Sequence, residues 1–380
     1  MSASIRDLLS SSAWDDLAAW LPRNLDELAA ESQGFQRRRA IRTASDFVRV
    51  AMAYSVLDLS LRSVAAWCGE HRLGDLSDVA VLGRLRRGWP LLAAVVRELL
   101  ATQVTAPPRG DLRRRVRLVD ATTLSHPGSD GADWRLHATY HLARGVIDGI
   151  ELTDGSGGEH LGRVPVSAGD LVVADRGHAH EQRLWETLSA GADFLVRIGH
   201  SAVPLIDAGG AAVDPVAFAT RKRAGAGRPP RVESRVVYLR VDADQTRPLR
   251  LVVVRKSVEA SNRERQRAAR EARRKGKEPT ARTLDAARFT FLLTSVPAAE
   301  ADDATMANLY RLRWQIELAF KRWKSLLGLA NLRADDPDLA RAYIYAKLIA
   351  ALLADKMARQ WRAFSPYGVP IGDGGVARVA

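Results

Sequence analysis

The chain has 380 residues, enough to bury a large core and to form two or three domains. It carries 57 lysines and arginines against 44 aspartates and glutamates, and this net charge of +13 favours a polyanionic partner. The single cysteine, Cys68, excludes an intrachain disulfide framework, and the chain shows neither a signal-peptide pattern nor an apolar run of about 18 residues, so we expect a cytoplasmic protein.

The first 106 residues are predicted to form an all-helical N-terminal domain. Two short helices over 63–70 and 77–85, the second capped by Ser77, loosely resemble a helix-turn-helix. The alternative is a small helical bundle with a basic surface. Three basic side chains at the end of the second helix are candidate DNA contacts: Arg84, Arg86 and Arg87. A Pro- and Gly-containing segment at 107–110 is the predicted linker.

Two short apolar runs that lead into an acid follow the linker. Residues 115–119 precede Asp120, and residues 171–174 precede Asp175. Both runs are typical of buried strands, and a strand that ends at a loop is a common place for an active residue. The alternative for each acid is a turn or helix-cap aspartate. Further elements are predicted here: a hairpin of 134–143 and 145–155, a helix over 181–191 and a strand over 193–198.

Glu317 lies 142 positions after Asp175 in the chain, which is too far for a simple loop to connect them. Predicted strands at 232–241, 249–256 and 288–295 indicate a β-rich insertion over 199–296 within the catalytic domain. Residues 255–282 hold eleven basic and four acidic side chains. We interpret 259–282 either as a solvated or disordered linker or as a mobile arm that closes over DNA.

A stretch at 305–329 is predicted to form one amphipathic helix with two stripes. Its core-facing stripe consists of apolar residues: Leu309, Leu312, Ile316, Phe320, Trp323 and Leu327. Its second stripe consists of Tyr310, Arg313, Glu317 and Lys324, which fall within a wedge of roughly 60° at about 100° per residue. A solvated helix face is the alternative for this stripe. A long buried helix at 338–360 is expected as a second layer on the catalytic sheet, followed by a tail at 361–380.

The three acids together suit divalent metal ions. Mg²⁺ and Mn²⁺ prefer oxygen ligands and keep several waters, so few carboxylates are needed. Asp120, Asp175 and Glu317 are therefore candidate ligands for two such ions, which promote phosphodiester displacement when they lie about 4 Å apart.

The spacing of Tyr310, Arg313, Glu317 and Lys324 resembles the signature of the insertion-sequence-four group of DDE transposases. The resemblance covers about residues 115–355 and includes Asp120 and the triplet that Asp175 opens. One departure is His178, which stands where the group has an aromatic residue; we expect this position to be peripheral.

The resemblance implies an α/β fold with a ribonuclease H-like catalytic domain over 111–360. It implies metal-dependent cleavage at transposon ends and strand transfer into target DNA, with Asp120, Asp175 and Glu317 catalytic and Tyr310, Arg313 and Lys324 gripping phosphates. The expected partner is double-stranded DNA, namely terminal inverted repeats and target, bound by a homodimer in the bacterial nucleoid. Two alternatives stay open: a non-catalytic DNA-binding remnant, and a metal-dependent nuclease without strand transfer.

Overall fold

The computed structural model describes residue 9 and residues 14–36, 38–102, 114–163, 165–221, 231–240 and 246–364. The predicted linker at 107–110 and residues 365–380 of the predicted tail lie outside these ranges. The chain divides into two compact units, described separately below. The helical unit comprises residues 1–105, 124–131 and 322–380, and the sheet unit comprises residues 106–123 and 132–321.

Helices and strands are numbered in chain order. The helices are α1 (Trp14–Ala18), α2 (Leu25–Glu31), α3 (Ala44–Val56), α4 (Leu61–Glu70), α5 (Asp78–Ala101), α6 (Glu181–Ser189), α7 (Pro215–Thr220), α8 (Val258–Arg274), α9 (Ala281–Ala286), α10 (Asp303–Arg311), α11 (Trp314–Leu327) and α12 (Pro337–Phe364). The strands are β1 (Arg115–Leu124), β2 (Trp134–His141), β3 (Val146–Asp154), β4 (Asp170–Ala174), β5 (Asp193–Ile198), β6 (Leu205–Ile206), β7 (Val232–Arg240), β8 (Thr246–Arg255) and β9 (Phe289–Thr294). Of these helices, none is both long and apolar enough to cross a membrane.

Helices make up the regular structure of the described residues before β1. Hydroxyl side chains begin three of them, because Thr43, Ser60 and Ser77 each accept a hydrogen bond from the backbone N–H three residues later. Such bonds satisfy N–H groups that have no partner in the first turn. The predicted cap at Ser77 is confirmed, and Cys68 is buried.

The prediction of a short second helix ending near Leu85 is wrong. α5 runs for 24 residues and continues through Pro90, although a proline removes one helical hydrogen bond. Leu92, Val95 and Leu99, which recur at helical spacing after the proline, are buried. Burial of this face outweighs the lost bond, and the resulting long helix differs from the short recognition helix of a helix-turn-helix.

α12 packs against α5 and α3 within the helical unit. The prediction that this helix forms a second layer on the catalytic sheet is therefore wrong. Small residues such as Ala342, Ala346 and Ala350 are buried along it and permit close approach to the neighbouring helices. Its apolar density indicates burial correctly but does not indicate the partner that covers it.

One nine-stranded mixed sheet forms the centre of the sheet unit, in the order β3-β2-β1-β4-β5-β9-β8-β7-β6. β1, β4 and β5 are parallel neighbours, whereas β9, β8, β7 and β6 extend the sheet beyond β5 by antiparallel pairing. The predicted hairpin of β2 and β3 is confirmed, with Gly145 at φ +67° in its turn. The strands predicted in the insertion are confirmed as well, and they belong to the same sheet as β1 and β4.

The basic segment 259–282 is folded, so its interpretation as a disordered linker is wrong. Ser257 caps α8, which is 17 residues long. Small residues at Ala260, Ala268 and Ala272 are half-buried at helical spacing, while most of the basic side chains are exposed. In the sequence, the charged residues around these alanines obscure their helical spacing. In the structure, the alanines form the face on which α8 packs.

Two helices occupy the stretch that is predicted to form one helix. α10 ends at Arg311, and α11 begins at Trp314. Across the break, Leu312, Arg313 and Gln315 each donate a backbone hydrogen bond to the residue three positions earlier, as in a tighter 3₁₀ turn. Leu309, Ile316, Phe320 and Trp323 are buried as expected, whereas Leu312 is 37% exposed and does not belong to the core.

Candidate active site

Two parallel strands bring Asp120 and Asp175 to the same end of the sheet. β1 pairs with β4 as far as Val119 and Ala174, and each acid is the next residue in its chain. β4 ends there as predicted, but β1 continues to Leu124, so Asp120 marks the end of the paired ladder rather than the end of the strand. Because parallel strands in register end together, the two carboxyl groups become neighbours.

The Asp120 carboxyl group is largely buried, with 15% of the side chain exposed. Burial raises its pKa to about 6, and the charge on Asp175 acts in the same direction, while Arg313 opposes the shift. The backbone N–H of Ala121 donates to Oδ1 at 2.9 Å. Ionisation of this carboxyl group therefore costs free energy, and a nearby cation can reduce that cost.

Asp175 caps the short 3₁₀ turn of Arg176–His178. Its Oδ1 accepts hydrogen bonds from the Gly177 backbone at 2.9 Å and from His178 Nδ1 at 3.1 Å. Burial opposes ionisation, but these two donors and the charge of His178 lower the pKa of Asp175 below its ordinary value. His178 is only 1% exposed, so the prediction that its position is peripheral is wrong.

Glu159 is a third acidic neighbour that the sequence does not reveal. Its ligand atom and those of Asp175 and His178 all lie within 4.8 Å of one another, close enough to share a metal ion. A Cβ at Gly177 would overlap the Glu159 carboxylate and lie 3.3 Å from Asp175 Oδ1, so glycine permits this approach. The spacing of Asp175 and His178 hints at the pair, but nothing in the sequence points to Glu159.

Arg313 connects two of the predicted acids. Its Nη1 donates to Asp120 Oδ2 at 3.0 Å, and its Nη2 donates to Glu317 in the first turn of α11. Burial disfavours the guanidinium charge, but Asp120, Tyr310 and Glu317 together raise the pKa of Arg313 above its ordinary value. Two carboxylates on separate elements therefore converge on one cation.

Tyr310 completes this group from the last turn of α10. Burial raises the pKa of its hydroxyl, and the charges of Arg313 and Arg197 oppose that shift. The structure thus brings Asp120, Tyr310, Arg313 and Glu317 together beside Asp175 in the sheet unit. Among the described residues, however, Asp120, Asp175 and Glu317 do not place their oxygens within 4.8 Å of one another as Glu159, Asp175 and His178 do their ligand atoms. Carboxylate oxygens that already share a cation have the chemistry that a hard divalent metal requires.

The remaining predicted residues lie elsewhere along the chain. Lys324 lies on α11 two turns after Glu317, in the part of the chain that belongs to the helical unit, and burial lowers its pKa. Arg86 Nε donates to Asp336 at 3.1 Å, and Arg84 is half-buried with a pKa lowered by burial. Arg87 is exposed. Of these three arginines, Arg86 forms an ion pair with an acid of the helical unit, Asp336.

Comparisons with known proteins extend over almost the whole chain. The family model described as "Transposase DDE domain" matches residues 111–353. The putative transposase InsL for insertion sequence element IS186A of Escherichia coli (strain K12) is 37% identical over 361 residues, which cover 93% of this chain and 96% of that protein. The transposase for insertion sequence element IS421 of Escherichia coli is 37% identical over 362 residues, with the same coverage.

Among solved structures, the chain is similar to one titled "Cryo-EM structure of piggyBac transposase synaptic complex with hairpin DNA". The two share 12% sequence identity, and the alignment covers 93% of this chain and 75% of that chain with a TM-score of 0.43. A likeness at this level is too low to carry an argument about fold or function.

Proposed function

The chain belongs to the transposase DDE-domain family, as its resemblance to the insertion-sequence-four group indicates, and we propose that it cuts DNA at transposon ends and transfers the cut strands to target DNA. The observation that carries this proposal is the convergence of Asp120 and Glu317 on one guanidinium, beside Asp175. These are the three acids that the family signature identifies.

Membership of the family implies the use of a divalent metal ion. We assign the metal to Asp120, Asp175 and Glu317, and we propose two ions of Mg²⁺ or Mn²⁺. When bound, such ions supply an activated water and stabilise the leaving oxygen. The same carboxylate oxygens that bind Arg313 would serve as ligands, so metal and guanidinium would compete for them.

The cationic residues would then act on the DNA. Arg313, once released from the acids, presents a planar fork that matches a phosphate in bidentate fashion, and Lys324 adds a point charge. Tyr310 can donate its hydroxyl proton to a phosphate oxygen. Held in this way, the scissile phosphodiester is oriented for in-line attack, first by water and then by the freed 3′-hydroxyl.

The strand order β3-β2-β1-β4-β5, with β1, β4 and β5 parallel, supports a ribonuclease H-like domain that the insertion extends. The net charge of +13 supports double-stranded DNA as the partner. We further propose that the N-terminal helices bind DNA through Arg84 and Arg87, and that two copies act together so that both transposon ends are processed in one complex.

A cleavage and joining assay tests the proposal. Labelled duplexes that carry the element's terminal repeats are incubated with the protein, target plasmid and Mg²⁺. We expect metal-dependent nicking at the repeat end followed by joining to the plasmid. Cleavage without joining would favour a nuclease, and binding without any cleavage would favour a DNA-binding remnant.

A further inference from the structure

The sheet unit contains a cavity of about 360 Å³ beneath α8, lined by many basic side chains. It lies between that helix and the sheet, with Phe289 and Phe291 among its lining residues. Six cationic side chains line it against three acids, Glu264, Glu271 and Glu278. The cationic residues are Arg176, Arg197, Lys256, Arg267, Lys275 and Lys277. The cavity lining therefore carries a net positive charge. Two of its three acids, Glu264 and Glu271, lie on α8.

The cavity begins next to the candidate active site. Arg176 follows Asp175 directly in the chain. Arg197 lies close enough to Tyr310 for its charge to oppose the raised pKa of that tyrosine. A DNA strand whose scissile phosphate lies at the acids would therefore have neighbouring phosphates within reach of the cavity.

One carboxylate occupies the space between the two most enclosed cations. Glu264 Oε1 lies 3.5 Å from Arg197 Nη2, and Glu264 Oε2 lies 4.0 Å from Lys256 Nζ. The Lys256 side chain is only 14% exposed, and burial followed by the like charge of Arg197 lowers its pKa, while Glu264 opposes that shift. Two like charges held this close need an anion between them.

We propose that this cavity is a binding site for a backbone phosphate of the DNA, held by Arg197 and Lys256, and that Glu264 takes the place of that phosphate in the DNA-free protein. A carboxylate and a phosphate both present oxygen acceptors to guanidinium and ammonium donors. Arg176, Arg267 and Lys277 form no ion pair with any other described residue, so they remain available to attract the strand. The inference rests on the proposed function, because it takes DNA as the ligand.

The test measures the affinity of the full chain for a labelled DNA duplex of arbitrary sequence, without metal, over a series of salt concentrations. Glu264→Gln removes the competing charge and should tighten binding by up to about fivefold, the range of a partly exposed ion pair. Glu259→Gln makes the same charge change on the exposed first turn of α8, outside the cavity, and serves as the matched control. Lys256→Ala should weaken binding and make the slope of log K against log salt shallower by about 0.9.

A gain of affinity in Glu264→Gln cannot result from misfolding, so the test does not depend on the Lys256 variant alone. Equal gains in Glu264→Gln and Glu259→Gln would overturn the proposal, since net charge would then explain both. An unaltered salt slope in Lys256→Ala would also overturn it. If the wild-type chain cuts DNA but Glu264→Gln and Glu259→Gln bind DNA equally well, this inference is refuted and the proposed function stands.

Discussion

Replacement of Arg313 tests how strongly the acidic site depends on its guanidinium. Without metal, Arg313→Ala leaves Asp120 and Glu317 without their shared cation. Asp120 and Arg313 are 15% and 16% exposed, and loss of one partner of a buried pair costs about 3–5 kcal/mol. Glu317 is 41% exposed, so its pair with Arg313 contributes at most about 1 kcal/mol.

Protonation of Asp120 sets a limit to this loss. In the folded wild type this carboxyl group has a pKa of about 6, so its protonation at pH 7 costs about 1.4 kcal/mol, and the destabilisation that comes from Asp120 cannot greatly exceed that value. The pKa of Asp120, already raised to about 6, rises further in the variant. The unfolded chains titrate alike, so the stability difference from wild type is largest above pH 6 and its Asp120 part is mostly lost by pH 5, where the group is protonated in both folded proteins.

Urea denaturation with a chelator present, at pH 7 and at pH 5, measures the effect. We expect Arg313→Ala to lower the free energy of unfolding by about 1.5–2.5 kcal/mol at pH 7 and by no more than about 1 kcal/mol at pH 5. The matched control is Arg311→Ala, an exposed arginine two residues earlier, which should change it by no more than about 0.5 kcal/mol. Equal stability of the two variants at pH 7 would refute the role of Arg313 as the cation of the site.

Two further pairs of substitutions test the fold. Gly88→Ala should lower the free energy of unfolding by about 1–3 kcal/mol because a Cβ there would overlap the Phe47 ring. Gly69→Ala has nothing within 4 Å of the added Cβ and should raise the free energy of unfolding by up to about 1 kcal/mol. Urea denaturation of both variants shows whether the two changes have opposite signs. Burial lowers the pKa of His137 to about 4, so wild type should lose about 3 kcal/mol as the pH falls from 6.5 to 4. His137→Gln should flatten this dependence, and the exposed His180→Gln should not; a slope that stays unchanged in His137→Gln would contradict the assignment.

The strands of the sheet and the two aspartates that follow the paired parts of β1 and β4 could be predicted because each depends on a local pattern. The run before Asp175 is apolar throughout, and the run before Asp120 alternates Arg115 and Arg117 with apolar residues, so neither has a helical period. The order of the strands gives these acids a common edge. The family signature adds Glu317 through its spacing from Arg313, even though the helix around it differs from the expected one.

The break between α10 and α11 could not be predicted from the local pattern, and it coincides with a distant contact. No Gly or Pro stands between Tyr310 and Glu317, and the local pattern favours one helix. Arg313 instead bonds to Asp120, which lies 193 residues earlier in the chain. Glu159 could not be predicted for a similar reason, since it lies between β3 and β4 and reaches Asp175 and His178 only in the folded chain. Contacts of this kind become visible only when the sheet is assembled.

The most direct test of the account asks which glutamate completes the metal site. Glu317 is the acid of the family signature, whereas Glu159 lies within ligand distance of Asp175 and His178. Glu317→Ala and Glu159→Ala are compared for Mg²⁺-dependent cleavage of terminal-repeat DNA, with DNA binding measured in parallel. The account predicts that Glu317→Ala abolishes cleavage and retains binding, while Glu159→Ala still cuts. Cleavage by Glu317→Ala together with its loss in Glu159→Ala would contradict the assignment.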